Sequence, residues 1–189
     1  MQTQRRHLLT IAAAAAAIGP GRIVRAQPAP VRLGVMLPMS GIGAEAGAAW
    51  LAGVKAAQLM WNESGGLLGR QIELVVRDDK FTSAGAVAAA RELAGEGINL
   101  IVGAAQSPMA LAVVPILPEL KAVVVAPSPS VMSITHEHFT KYFFRAASNA
   151  SMLFGGIGSM LATRFPDVGT WSMIVPDSEN GRDMVRYFS

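Results

Sequence analysis

Residues 100–130 read LIVGAAQSPMALAVVPILPELKAVVVAPSPS, and this stretch decides the fold. It is an apolar run at 100–102, a small-residue loop, a helix start at Ser107-Pro108, a second apolar run at 122–125 and another serine loop. Two short, fully apolar runs joined by one helical segment form a parallel crossover unit. Both strand ends, 103–107 and 126–130, are therefore expected on one edge of the sheet, where open α/β sheets hold small ligands. Ser107 followed by Pro108 is a helix-start signal, a hydroxyl N-cap before a proline whose missing N–H is not needed there. A helix start with free N–H groups also suits a carboxylate. Ser107 is thus both a candidate cap and a candidate ligand contact.

Outward from this unit the pattern repeats. An apolar run at 31–37 closes at Pro38, and a helical stretch to about 62 places Trp50, Val54, Ala57 and Trp61 on one face. Gly65, Gly66 and Gly69 turn the chain into a second strand at 72–76, which ends at Asp78-Asp79, and an alanine-rich helix spans 83–96. The helix after Ser107 is expected over 108–117. Beyond residue 130 come a polar irregular segment, a short strand at 142–145, a helix over 148–165, a strand at 170–175 and the start of a helix from Arg182. The chain stops inside that helix without a cap, which reads as an interruption.

Composition narrows the function. There is no cysteine among the 189 residues, which excludes disulfides, thiolate metal sites, a cysteine nucleophile and a lipidated N-terminal cysteine. The net charge of +3 comes from the first 26 residues, which hold Arg5, Arg6, Arg22 and Arg25 and no acid. Without those four, 12 basic residues face 13 acidic ones, a net of −1, so the basicity belongs to the leader and not to a nucleic-acid-binding face. Residues 1–26 have a charged start, a short alanine-rich core and small residues near position 26, the form of an export signal that is too short to span a bilayer. Arg5-Arg6 before Leu8-Leu9 leaves both a general secretory and a twin-arginine route open. No later run has the length and freedom from charge of a membrane anchor.

Catalytic chemistry finds little footing. Gly41-Ile42-Gly43-Ala44-Glu45-Ala46 approaches a dinucleotide fingerprint, but Pro38-Met39-Ser40 separates it from the strand, whereas that turn needs its first glycine at the strand end. No nucleophile elbow or phosphate-binding P-loop is present. His136 and His138, two apart, lack an evident third metal ligand, and Asp177, Glu179 and Asp183 read as a solvated loop and helix start.

In order along the chain, VRLGVMLPMSG at 31–41, NESGGLLGR at 62–70, Asp78-Asp79, Gly103 with Ser107, Ala126-Pro127 before Ser128 and Ser130, and Phe144-Arg145 resemble the type I periplasmic solute-binding proteins of the leucine/branched-chain amino acid class of ABC transporters. The resemblance spans about 31–183. It implies an α/β parallel-sheet, two-lobed type I periplasmic binding fold with export signal 1–26, a first lobe over 27–147 that is largely present, and a second lobe only begun at 148–189. It further implies a periplasmic receptor, not an enzyme, that captures a small-molecule ligand (a branched-chain or other amino acid, an amide or a small carboxylate) for an ABC-type membrane permease. No cofactor, metal or nucleic acid is implied, and no membrane insertion once the signal is removed.

Carried over by position, Ser107 looks like the carboxylate-binding serine, Ser128 a backbone contact, and Ser130 a hydroxyl and N–H contact. Ala46 stands where an aromatic residue often lines the cleft, Asn149 falls near the hinge and cleft, and Asp78 and Asp79 look like scaffold. Two other readings remain open at this level, an exported nucleotide-cofactor oxidoreductase and a ligand-sensing domain of a regulator.

Overall fold

The computed structural model describes residues 28–188, so the expected export signal lies outside the described residues. Five strands form one parallel sheet: β1 (Val31–Leu37), β2 (Ile72–Asp78), β3 (Leu100–Gly103), β4 (Val123–Ala126) and β5 (Phe143–Arg145). Their spatial order is β2-β1-β3-β4-β5. Val35 sits beside Val76 and Val102, and Val124 lies between Ile101 and Phe143. The chain leaves β2 and crosses β1 to build β3, so the order reverses between β1 and β3. Such a reversal is where open α/β sheets hold ligands, outside the carboxyl ends of the strands.

Helix α1 (Ala44–Glu63) lies on one face, behind a 3-10 turn at Gly41–Gly43, while α2 (Ser83–Gly95) and α3 (Ser107–Val113) cover the other. Thr82 caps α2 by accepting the Gly85 N–H at 2.9 Å. The helix buries Ala86, Ala89, Ala90 and Leu93, an i, i+3, i+4, i+7 stripe whose three alanines let it approach the sheet closely. These pack with Met36, Ile101, Val113, Leu117, Val124 and Phe143 into the main core. On the α1 side a smaller core joins Val35, Leu37, Leu51 and Ala105. Leu100, Val125 and Phe144 share this second face, beyond the reach of α1, and are about half exposed.

Five expectations need correction. The inward side of α1 is set by Gly47 and Leu51, with Trp50 and Val54 half-buried, whereas Ala57 and Trp61 are exposed. The C-terminal half of the helix is held by polar groups instead: Gln58 Nε2 and Asn62 Nδ2 donate to Ile72 O, and Ile72 N–H donates back to Asn62 Oδ1. With those amides facing the edge strand, Trp61 is left on the exposed side.

The helix expected over 108–117 is three pieces, α3, a 3-10 turn at Val114–Ile116 and α4 (Leu117–Leu120). Pro115 and Pro118 supply no N–H for a continuous ladder. The helix expected from 148 begins with a wide π turn at Ser151–Gly155 and continues as α5 (Gly156–Arg164). Residues 170–175 form no strand, because neither sheet edge, β2 or β5, pairs with them. The last helix, α6 (Glu179–Phe188), starts three residues before its expected position.

Candidate ligand-binding site

The carboxyl ends of the strands are tied together by short side chains. Asp78, at the end of β2, accepts the Met39 N–H at 2.8 Å, the Ser40 hydroxyl at 2.6 Å and the Lys80 N–H at 2.8 Å. Burial alone would raise its pKa; the Ser40 hydroxyl and the surrounding backbone N–H groups outweigh that and hold it below the ordinary carboxylate value. Asp79 is buried and accepts the Phe81 N–H at 2.9 Å. Burial pushes its pKa up, against the pull of that N–H, and the neighbouring Asp78 charge adds to the rise. Both carboxylates are committed to the scaffold, so neither is free for the ribose of a dinucleotide.

The loop after β3 starts under constraint. A Cβ at Gly103 would stand 2.1 Å from Met36 O, and Ala104 follows in the left-handed region at φ 52°, with its methyl group in the core. This sharp exit carries the chain to Ser107, which is 5% exposed. Helix α3 begins at Ser107 itself, with Gln106 at the N-cap making no side-chain cap bond. The Ser107 hydroxyl therefore does not cap its own helix. It accepts the Ser130 N–H at 3.2 Å and the Val131 N–H at 3.3 Å, shaping the loop after β4.

Ser128 donates to Ala105 O at 2.7 Å and makes a second tie between the same two loops. Arg145 completes the frame, donating to Val131 O at 2.8 Å and to Thr135 Oγ1 at 2.9 Å.

A hydroxyl has two acceptor positions and one proton. With both Ser107 positions filled by backbone N–H groups, its proton must go outward. It points to Asn180 Oδ1 at 3.5 Å, and the Ser130 hydroxyl donates to the same oxygen at 2.6 Å. Two hydroxyls thus converge on one acceptor, supplied by α6. On the same helix Asp183 accepts the Met132 N–H at 2.8 Å and Glu179 accepts the Ser133 hydroxyl.

A cavity of about 320 Å³ opens beside this cluster, lined among others by Phe81, Gln106, Ser107, Met109, Pro176 and Asn180. It falls in the range of small-molecule pockets, roughly 300–1,000 Å³. A second cavity of about 480 Å³ lies against Met132, His136, Glu179 and Asp183, but it touches neither converging serine. Among the described residues, no group of three or more His, Asp or Glu side chains could hold a metal ion.

Of the residues the sequence pointed to, Ser107 and Ser130 meet at one point and Ser128 braces the loop behind them. Ala46 is exposed on the first turn of α1. Asn149 is engaged locally, its Oδ1 accepting the Met152 N–H at 2.8 Å. The sequence pattern does not single out Asn180, and Glu179 and Asp183, expected to be solvated, instead bond Ser133 and Met132; of that acidic group, Asp177 is exposed and stands 3.7 Å from Arg182. A signal was present, since residues 176–181 form a polar turn after an apolar run, like the other strand-end loops. Gly181 fits that turn because a Cβ there would lie 1.9 Å from Pro176 O.

The family model described as periplasmic binding protein matches residues 30–189, and the chain belongs to that family. Over 112 residues the chain is 30% identical to the Leu/Ile/Val-binding protein BraC3 of Rhizobium johnstonii, covering 59% of this chain and 30% of that protein. Two solved structures share the fold. The branched-chain amino acid transporter substrate-binding protein LivJ of Streptococcus pneumoniae, in complex with isoleucine, superposes with a TM-score of 0.75 at 24% identity, covering 84% of this chain and 45% of that one. An ABC transporter solute-binding protein of R. palustris, in complex with 4-hydroxybenzoate, gives 0.73 at 26% identity, covering 84% and 42%. The chain spans about a third of the length of the curated relatives it matches.

Proposed function

We propose that this chain is the ligand-capturing part of an extracytoplasmic solute-binding receptor, not an enzyme, and that it takes a small carboxylate-bearing ligand for delivery to an ABC-type permease. In this reading residues 27–147 form one lobe and 148–189 begin the other. The ligand enters the crevice between them, where Ser107 and Ser130 donate to one carboxylate oxygen. The observation that carries the reading is the convergence of those two hydroxyl protons on a single acceptor position beside a cavity. Relatives support the chemistry, because the branched-chain amino acids named for BraC3 and the 4-hydroxybenzoate bound by the R. palustris protein differ in shape but share a carboxylate.

Thermal unfolding in the presence of L-leucine, L-isoleucine and 4-hydroxybenzoate tests this. A ligand at a hundred times its Kd stabilises the folded state by roughly 2.7 kcal/mol, enough to move the midpoint by several degrees. At least one of the three carboxylates is expected to raise it. If none does, even at millimolar concentration, the receptor reading fails.

A further inference from the structure

The acceptor at which both serine protons aim belongs to the protein. Asn180 Oδ1 takes the Ser130 hydroxyl at 2.6 Å and lies 3.5 Å from Ser107 Oγ. Because Ser107 can only donate outward, it is the amide oxygen and not the nitrogen of Asn180 that fits here. Asn180 does not act alone. Glu179 and Asp183, beside it and one turn along, reach Ser133 and Met132, so one face of α6 grips the loop after β4 at three points. A ligand carboxylate needs the position that Asn180 Oδ1 holds. It is also the better acceptor there, since hydrogen bonds to a charged oxygen are roughly twice as strong as those between neutral groups. Against that advantage the amide is tethered, and a tethered group competes at an effective concentration on the order of millimolar.

We infer that Asn180 is a built-in competitor for the ligand site. Without ligand its side-chain oxygen fills the serine donor pair and, with Glu179 and Asp183, latches the segment 148–188 against the sheet. A ligand carboxylate must displace it, so Asn180 sets the affinity threshold of the receptor. This rests on the reading of Ser107 and Ser130 as the carboxylate donors. It also differs from a direct contact in sign, because removing a contact weakens binding whereas removing a competitor strengthens it.

The test uses Asn180→Ala and Asn180→Asp in the full chain, with two readouts. Amide hydrogen exchange without ligand reports the latch, and calorimetric titration with L-isoleucine and 4-hydroxybenzoate reports the competition. For Asn180→Ala, exchange at Val131 and Met132 is expected to accelerate about threefold or more, with β3 amides unchanged. Its affinity for whichever probe binds the parent is expected to rise roughly three- to tenfold, the equivalent of losing one neutral hydrogen bond. Asn180→Asp installs a charged stand-in and is expected to move both readouts the other way, which keeps the proposal testable if the alanine variant does not fold. Weaker binding by Asn180→Ala overturns the competitor role and makes Asn180 a ligand contact, and unchanged exchange overturns the latch. If neither probe binds the parent or a variant, the carboxylate reading falls and takes the competitor role with it, while faster exchange would still uphold the latch.

Discussion

Ser107 Oγ accepts two backbone N–H groups and donates outward, whereas the Ser130 hydroxyl donates alone, so substituting each in turn separates framing from donation. Ser107→Ala leaves the Ser130 and Val131 N–H groups without their acceptor, and Val131 is fully buried, so a loss of about 1–3 kcal/mol in urea unfolding is expected. Ser130→Ala removes a proton donor and leaves that backbone frame in place. It is expected to weaken carboxylate binding roughly five- to twentyfold in calorimetric titration, with no more than a small change in unfolding midpoint. Equal effects of the two variants on stability would contradict the separation.

Asp79 offers a second residue-level test. Folding raises its pKa, so the folded state keeps the proton over a pH window in which the unfolded chain has lost it. Its contribution is therefore fully present below the unfolded value and is lost as pH rises through the folded one. Asp78 runs the opposite way: its folded pKa is lowered, so its contribution is present above the unfolded value and lost as pH falls through the folded one. Asp79→Asn keeps an oxygen for the Phe81 N–H and cannot ionise. Compared with the parent, its urea midpoint is expected to gain at pH 7.5 relative to pH 4.5, and identical pH profiles would refute the assignment. Serines at strand ends were legible because small polar residues after apolar runs mark loops at the carboxyl edge. The direction in which each hydroxyl donates was not legible, since it depends on which N–H groups the neighbouring loop brings to it.

At the scale of elements, the alternation of apolar runs and helical stretches located every strand of the sheet to within one or two residues, because a buried parallel strand has a fully apolar signature. What periodicity missed has local causes. The inward face of α1 follows Gly47, where a Cβ would lie 1.7 Å from Pro38 O, and the Asn62 amide pair on β2. Gly47→Ala is expected to cost about 1–3 kcal/mol through overpacking of this contact. Gly53→Ala, on the same helix with nothing within 4 Å of the added carbon, is expected instead to stabilise by about 0.5–1 kcal/mol. Thermal melts of both variants check the pair, and similar shifts would show that α1 does not rest on the loop after β1. The run at 170–175 shows the converse limit, since strand composition makes no strand without a neighbour to pair with.

For the whole molecule, the order β2-β1-β3-β4-β5 gathers loops from five strand ends onto one edge, and α6 returns to that edge over sequence separations of 50 to 73 residues. This long-range return is why Asn180 escaped a reading built on local pattern. The other side of the sheet is unevenly covered, with α1 over β1 and β2 and the apolar groups of β3, β4 and β5 half exposed. The double use of Ser107 Oγ has a consequence for selectivity. Most serine hydroxyls adapt to a guest by turning, accepting from an amine as readily as donating to an acid. Here the loop after β4 occupies both acceptor positions of Ser107 Oγ, so the polarity at that atom is wired into the fold rather than chosen by the guest. In the proposed site a guest N–H that reached Ser107 Oγ would meet a proton rather than a lone pair, so at that atom only an acceptor would be matched.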